Sequence, residues 1–179
     1  MIDHDAFVSA LVAQLPSLRR YAVALVRNAA LADDLVQDSI ERALRQSAQL
    51  RDLQSLSAWL RRILHNLYID ETRRNRSRGQ QQDIMEFEDH LELSTPAIDN
   101  NATRDFLKAM NTLSLEHRQI LLLVGLEELS YREVADELGV PIGTVMSRLA
   151  RARERLRTLI QGGEEAAIIS LPSALKEQS

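Results

Sequence analysis

The sequence predicts an all-α protein made of two small helical domains. Three observations lead there. Apolar residues recur at helical spacing along most of the chain, no stretch alternates convincingly in strand fashion, and aromatic residues, at 4%, are too few to fill a β-sandwich core. Leu18, Ala22 and Leu25 define a first amphipathic helix, Leu35, Val36, Ile40, Ala43 and Leu44 a second, and Leu60, Ile63, Leu64 and Leu67 a third. Together they predict a first domain over residues 1–76. Periodicity fades in Asn75 to Gln82 and is followed by turn-prone Ser94-Thr95-Pro96 and Asp99-Asn100-Asn101, so residues 77–101 read as a flexible, acidic linker. It resumes at Phe106, Met110 and Leu113, continues from Ile120 to Leu126, and returns in two closely spaced helices from Ser130. These predict a four-helix domain over 102–161, leaving a tail at 162–179.

Charge and composition narrow the function. The net charge of −4 is uneven: residues 1–74 carry ten Arg and nine acids, residues 105–161 carry eight of each sign, and the excess of acid lies in the linker and the tail. Autonomous DNA binders usually carry net positive charge, so any DNA contact here is expected to need a partner. With no cysteine, disulfides and thiolate metal sites are excluded. The four histidines, His4, His65, His90 and His117, are scattered, and no glycine-rich phosphate loop is present. The expectation is a protein without catalytic activity, metal or cofactor. An acidic start, Met1-Ile2-Asp3-His4-Asp5, and aliphatic runs as short as Leu121 to Val124 predict no signal peptide and no membrane insertion, hence a cytoplasmic location.

The strongest local signal is Leu129 to Leu156, which reads as a helix-turn-helix. Ser130 and Glu133 have the spacing of a capping box, Gly139 suits a turn with positive φ, and Pro141 suits the first turn of the following helix. In that second helix Val145, Leu149, Ala152 and Leu156 form one stripe, while Thr144, Ser147, Arg148, Arg151 and Arg155 share another of roughly 100° of arc. A short-hydroxyl, arginine-rich face on the second helix is what entry into the DNA major groove requires.

Two further helix faces stand out. In Ala58 to Arg74 the polar side groups Arg62, His65, Asn66 and Arg73, with Arg61 and Arg76 at its margins, a set able to meet phosphates and base edges but also common on merely solvated helices. Trp59 and Tyr68 are able to stack on unpaired bases, although Trp59 suits core packing better. In Asp34 to Leu44 the polar side is acidic, with Asp34, Gln37, Asp38 and Glu41; on composition alone it is a solvated face.

Taken in order, DLVQDSIERAL, AWLRRILHNLYIDETRR, a polar linker and LSYREVADELGVPIGTVMSRLARARERL resemble an extracytoplasmic-function (ECF) sigma factor of bacterial RNA polymerase, over about residues 15–160. The resemblance implies that Asp34, Gln37 and Asp38 contact the clamp coiled coil of core polymerase. It implies that the loop Gln49 to Ser57 and the helix bearing Arg62, His65, Asn66 and Arg73 recognise and melt the −10 promoter element. It implies that Thr144, Ser147, Arg148 and Arg151, on the face that also carries Arg155, read the −35 element. It further implies an anti-sigma factor as partner, and a linker segment, Asp83 to Asp89, running through the polymerase channel. Met146 stands where the family often has Lys or Arg, and Ala150 where it often has a larger side chain. Two alternatives fit the fold: a sigma-like decoy that sequesters an anti-sigma factor, for which a receiver domain is expected, and a one-component helix-turn-helix regulator, for which a ligand pocket or dimerisation helix is expected. Neither accompanying feature is evident.

Overall fold

The computed structural model describes residues 2–77 and 100–161, and every regular element among them is helical. The chain forms two compact units, Met1–His90 and Leu91–Ser179. The linker expected at 77–101 and the tail at 162–179 fall almost wholly outside the described residues, as do the side chain of Arg76 and the acidic segment Asp83 to Asp89.

In the first unit α1 (His4–Val26), α2 (Ala29–Arg45) and α3 (Leu56–Ser77) pack pairwise into a three-helix bundle. Helix α1 starts much earlier than the Leu18 repeat indicates. Asp3 caps it by accepting from the Ala6 amide at 3.2 Å, and Phe7 and Leu11 are buried with Leu18, Ala22 and Leu25. Pro16 interrupts the pattern without ending the helix. It donates no hydrogen bond to the Val12 carbonyl, but both residues lie on the exposed side, where solvent is able to take the place of the missing donor.

The corner into α2 needs only two residues. Arg27 takes a left-handed conformation with φ 63°, and Asn28 caps α2 by accepting from the Leu31 amide at 2.8 Å. The helices are also clasped at the surface, where Arg19 donates to both carboxylate oxygens of Asp33 at 2.7 and 3.2 Å. Leu35, Val36 and Ala43 of α2 are buried as the periodicity predicts, but Leu44 is 43% exposed. It lies at the edge of the apolar stripe, where no neighbouring helix covers it.

Between α2 and α3 two 3-10 turns, Ser47–Gln49 and Leu53–Ser55, fold the connection onto the bundle. Leu50 and Leu56 are buried and anchor its ends, and Asp52 accepts from the Gln54 amide at 3.1 Å. Arg51, Asp52, Gln54 and Ser55 face outward.

The second unit is built around its last helix. Helix α7 (Ile142–Gln161) packs against α4 (Asn100–Thr112), α5 (Leu115–Gly125) and α6 (Tyr131–Leu138). Leu113, Ile120, Leu123, Val134, Val145, Leu149, Ala152 and Leu156 form its core. Arg118 is also inside, 4% exposed, and its guanidinium donates to the carbonyls of Met110 at 3.1 Å and Leu113 at 2.8 Å. It thereby satisfies acceptors at the end of α4, where the helix dipole favours a cation.

The turn from α5 to α6 holds Glu128 at φ 54°. A side chain in this left-handed region costs about 1–2 kcal/mol, and glycine escapes it at a smaller entropic cost. Glu128→Gly is therefore expected to stabilise the second unit by about 0.5 kcal/mol and Glu128→Val, which is β-branched, to destabilise it by about 1 kcal/mol. Thermal unfolding of the two variants checks this, and equal shifts would disprove the strain.

Candidate nucleic-acid interface

The helix-turn-helix assembles through contacts local in sequence. The Ser130 hydroxyl accepts from the Glu133 amide at 3.3 Å, and the Glu133 carboxylate accepts from the Ser130 amide at 2.8 Å, so the capping box is complete. Gly139 ends α6 at φ 66°, with its N–H and that of Val140 donating to the Ala135 carbonyl. Pro141 stands just before α7 rather than within its first turn, and its carbonyl accepts from the Thr144 and Val145 amides.

These contacts fix the rotation of α7. Val145, Leu149, Ala152 and Leu156 are at most 3% exposed, as their spacing predicts. On the opposite side Ser147, Arg151 and Arg155 are exposed, and Thr144 and Arg148 are half-buried. The Ser147 hydroxyl donates to the Thr144 carbonyl at 3.1 Å, which leaves its oxygen as an outward acceptor. Among the described residues, Arg148, Arg151 and Arg155 form no ion pair, whereas Arg157 is paired with Glu154. The cations toward the start of α7 are thus available to an external anion.

In the first unit, α3 presents Arg62, Asn66 and Arg73 as exposed residues within about 40° of arc, spread over about 16 Å of helix. His65 borders them and is half-buried. Its Nδ1 is enclosed and has no hydrogen-bond partner, and burial holds the imidazole pKa below its ordinary value. Burial therefore favours the neutral imidazole over a phosphate-binding charge. Arg61, placed by spacing at the margin of this face, is instead 5% exposed and donates to the Ser57 hydroxyl at 2.6 Å. It belongs to the interior that holds the start of α3. Trp59 and Tyr68 are both half-buried. The exposed residues of the Leu50 to Leu56 connection adjoin α3 in sequence, and no periodic signal marks them.

Asp34, Gln37, Asp38 and Glu41 are all exposed on α2, opposite buried Leu35, Val36, Ser39 and Ala43. Glu41 pairs with Arg45 at 3.1 Å within the same helix. Among the described residues there is no cluster of three or more side chains able to hold a metal ion, and no helix is long and apolar enough to cross a membrane.

The second unit is, by this geometry, a helix-turn-helix module of four helices, and the first a separate three-helix bundle. Comparison with known families matches residues 103–156 to region 4 of sigma-70 and residues 11–65 to the Sigma2 domain of PhyR. The ECF RNA polymerase sigma factor EcfG of Rhodopseudomonas palustris is 33% identical over 163 residues, which cover 90% of each chain. The ECF RNA polymerase sigma factor SigL of Mycobacterium tuberculosis is 35% identical over 150 residues, 80% of this chain and 82% of that one. Among solved structures, the sigma factor RpoE in complex with the anti-sigma factor NepR from Bartonella quintana superposes with a TM-score of 0.73 at 32% identity, covering 87% of this chain and 96% of that one. CnrH in complex with the cytosolic domain of CnrY shares the fold, with a TM-score of 0.62 at 21% identity, covering 90% of this chain and 91% of that one. The chain belongs to the ECF family of RNA polymerase sigma factors.

Proposed function

We propose that the chain directs core RNA polymerase to promoters through two separate DNA-reading surfaces, one on each unit, and acts in the cytoplasm without catalysing a reaction. The observation that carries this reading is the clean separation of faces on α7, with a buried aliphatic stripe opposite three arginines that form no ion pair among the described residues. Residues 102–161 then serve as region 4, with Thr144, Ser147, Arg148, Arg151 and Arg155 on the −35 duplex. Residues 1–76 serve as region 2, in which Arg62, His65, Asn66 and Arg73 engage the −10 element and Asp34, Gln37 and Asp38 the polymerase clamp. Residues 77–101 link the two.

Melting follows from binding. A surface that captures a base extruded from the non-template strand draws the open duplex out of its equilibrium with the closed one, without an energy-consuming step. An anti-sigma factor is a further partner on this reading, by analogy with RpoE and its bound NepR.

Two substitutions separate the surfaces. Arg151→Ala leaves the buried stripe intact and is expected to cost about 1–3 kcal/mol at the −35 element, with little effect on a pre-melted template lacking that element. Asn66→Ala is expected to spare −35 binding and slow strand opening. Run-off transcription with core polymerase on duplex and pre-melted promoters reads both effects, with circular dichroism as the check on folding. Equal losses on both templates would replace this division of labour with a shared role in polymerase binding. Failure of the unaltered protein to start any transcript would favour the decoy.

A further inference from the structure

The exposed half of α7 is two-sided. At 100° per residue, Ile142, Met146 and Ala150 lie within about 80° of arc, and the Thr144, Ser147, Arg148, Arg151 and Arg155 face begins about 60° beyond them. Ile142 is 47% and Met146 54% exposed, and they are two of the four large hydrophobic residues exposed among the described residues. One helical turn separates them, so they form a pair rather than scattered surface residues. Space beside them is open, since a Cβ added at Gly143 meets no atom within 4 Å. From Ile142 to Arg153 there are three arginines and no carboxylate, the first acid of α7 being Glu154.

We propose that Ile142 and Met146 form an apolar edge that packs on the C5-methyl group of a thymine in the −35 duplex. This rests on the reading of α7 as the groove helix. Charge along the helix selects the occupant: an apolar pair on a stretch of α7 that carries arginines and no acid complements a polyanion that also displays apolar groups. In the major groove only thymine offers a methyl group, and it distinguishes A·T from the other pairs at that edge. Met146 suits the contact because its unbranched, polarisable side chain adapts to the groove surface. It also forgoes the guanine or phosphate contact that a cation would make there, so this chain reads a thymine where a Lys or Arg would read guanine or hold the backbone.

The test uses the full chain reconstituted with core polymerase and a promoter selected by that holoenzyme from a library randomised in the −35 region. Each thymine of the selected element is replaced singly by deoxyuridine, which removes only the methyl group. One replacement is expected to weaken binding about fourfold, the factor for one buried methyl group of about 0.8 kcal/mol. Met146→Ala is expected to bind the thymine and deoxyuridine promoters equally. Met146→Lys is expected to lose the same discrimination and to steepen the salt dependence by about one phosphate contact. Both substitutions are at an exposed position, and circular dichroism verifies the fold. If no deoxyuridine replacement weakens binding, or if Met146→Ala keeps the discrimination, the apolar edge is not a methyl reader. Arg151→Ala distinguishes the two failures. Loss of −35 dependence in that variant with no methyl effect overturns the edge alone, whereas unchanged −35 dependence overturns the groove reading and the edge with it.

Discussion

Arg118→Ala is expected to unfold the second unit selectively. Its guanidinium is buried and donates to the carbonyls of Met110 and Leu113, at the point where α4 turns into α5. Removing it strands the buried Leu113 carbonyl at about 1–3 kcal/mol, leaves the Met110 carbonyl only its 3.4 Å bond from the Leu113 amide, and opens a cavity where a long side chain packed. A loss of about 3–4 kcal/mol is a large fraction of the stability of so small a unit. Arg118→Lys keeps the charge but replaces the planar fork with a single ammonium, which holds one carbonyl well rather than two, so its cost should be about half. Hydrogen exchange on the full chain checks the prediction. Amides of α4 to α7 should lose protection in Arg118→Ala while those of α1 to α3 keep theirs. Full protection in the second unit would show that water replaces the guanidinium without loss.

The helix-turn-helix was readable residue by residue because its determinants act within one turn of chain. Ser130 with Glu133, Gly139 at its positive φ, and the stripe of Val145, Leu149, Ala152 and Leu156 depend on neighbours three or four positions away. Arg118 shows where such reading stops. In Leu115 to Ile120 it looks like a solvated helix residue, and only tertiary packing brings the carbonyls of the preceding helix to its guanidinium. Arg61 fails for a similar reason, since helical spacing places it beside Arg62 and gives no sign that the interior accepts it.

Backbone features without a glycine signal were equally silent. Arg27 and Glu128 take left-handed conformations that most residues avoid, imposed by the helices they join. Helix α1 contains Pro16, and proline, usually a stop, is tolerated there because its side of the helix faces water. The candidate site was legible as faces, since exposure of Asn66, Arg151 and Asp38 follows from periodicity. What those faces touch depends on partners whose surfaces no spacing encodes.

The isolated chain is expected to bind promoter duplex only in the nonspecific range, about 10⁻⁴ to 10⁻⁶ M at physiological salt. Residues 105–161 balance eight cations with eight acids, so the long-range field that draws most DNA-binding domains to phosphate is nearly absent. Only the local face of α7 remains, and three arginines with no ion pair among the described residues displace few counterions, giving a shallow salt slope of about −3. Core polymerase changes this by holding both units on one template. Each surface then meets its element at a high effective concentration, and two weak contacts become one specific complex in the range of about 10⁻⁸ to 10⁻¹¹ M. The expected gain is at least about a hundredfold. Fluorescence anisotropy of a labelled promoter, titrated with the chain alone and with reconstituted holoenzyme over a series of salt concentrations, measures both affinity and slope. A scrambled −35 element should weaken the holoenzyme and leave the free chain unchanged, because only the former is limited by base contacts. Nanomolar, sequence-specific binding by the free chain would mean that α7 reads its site unaided, and the molecule would then work as a one-component regulator.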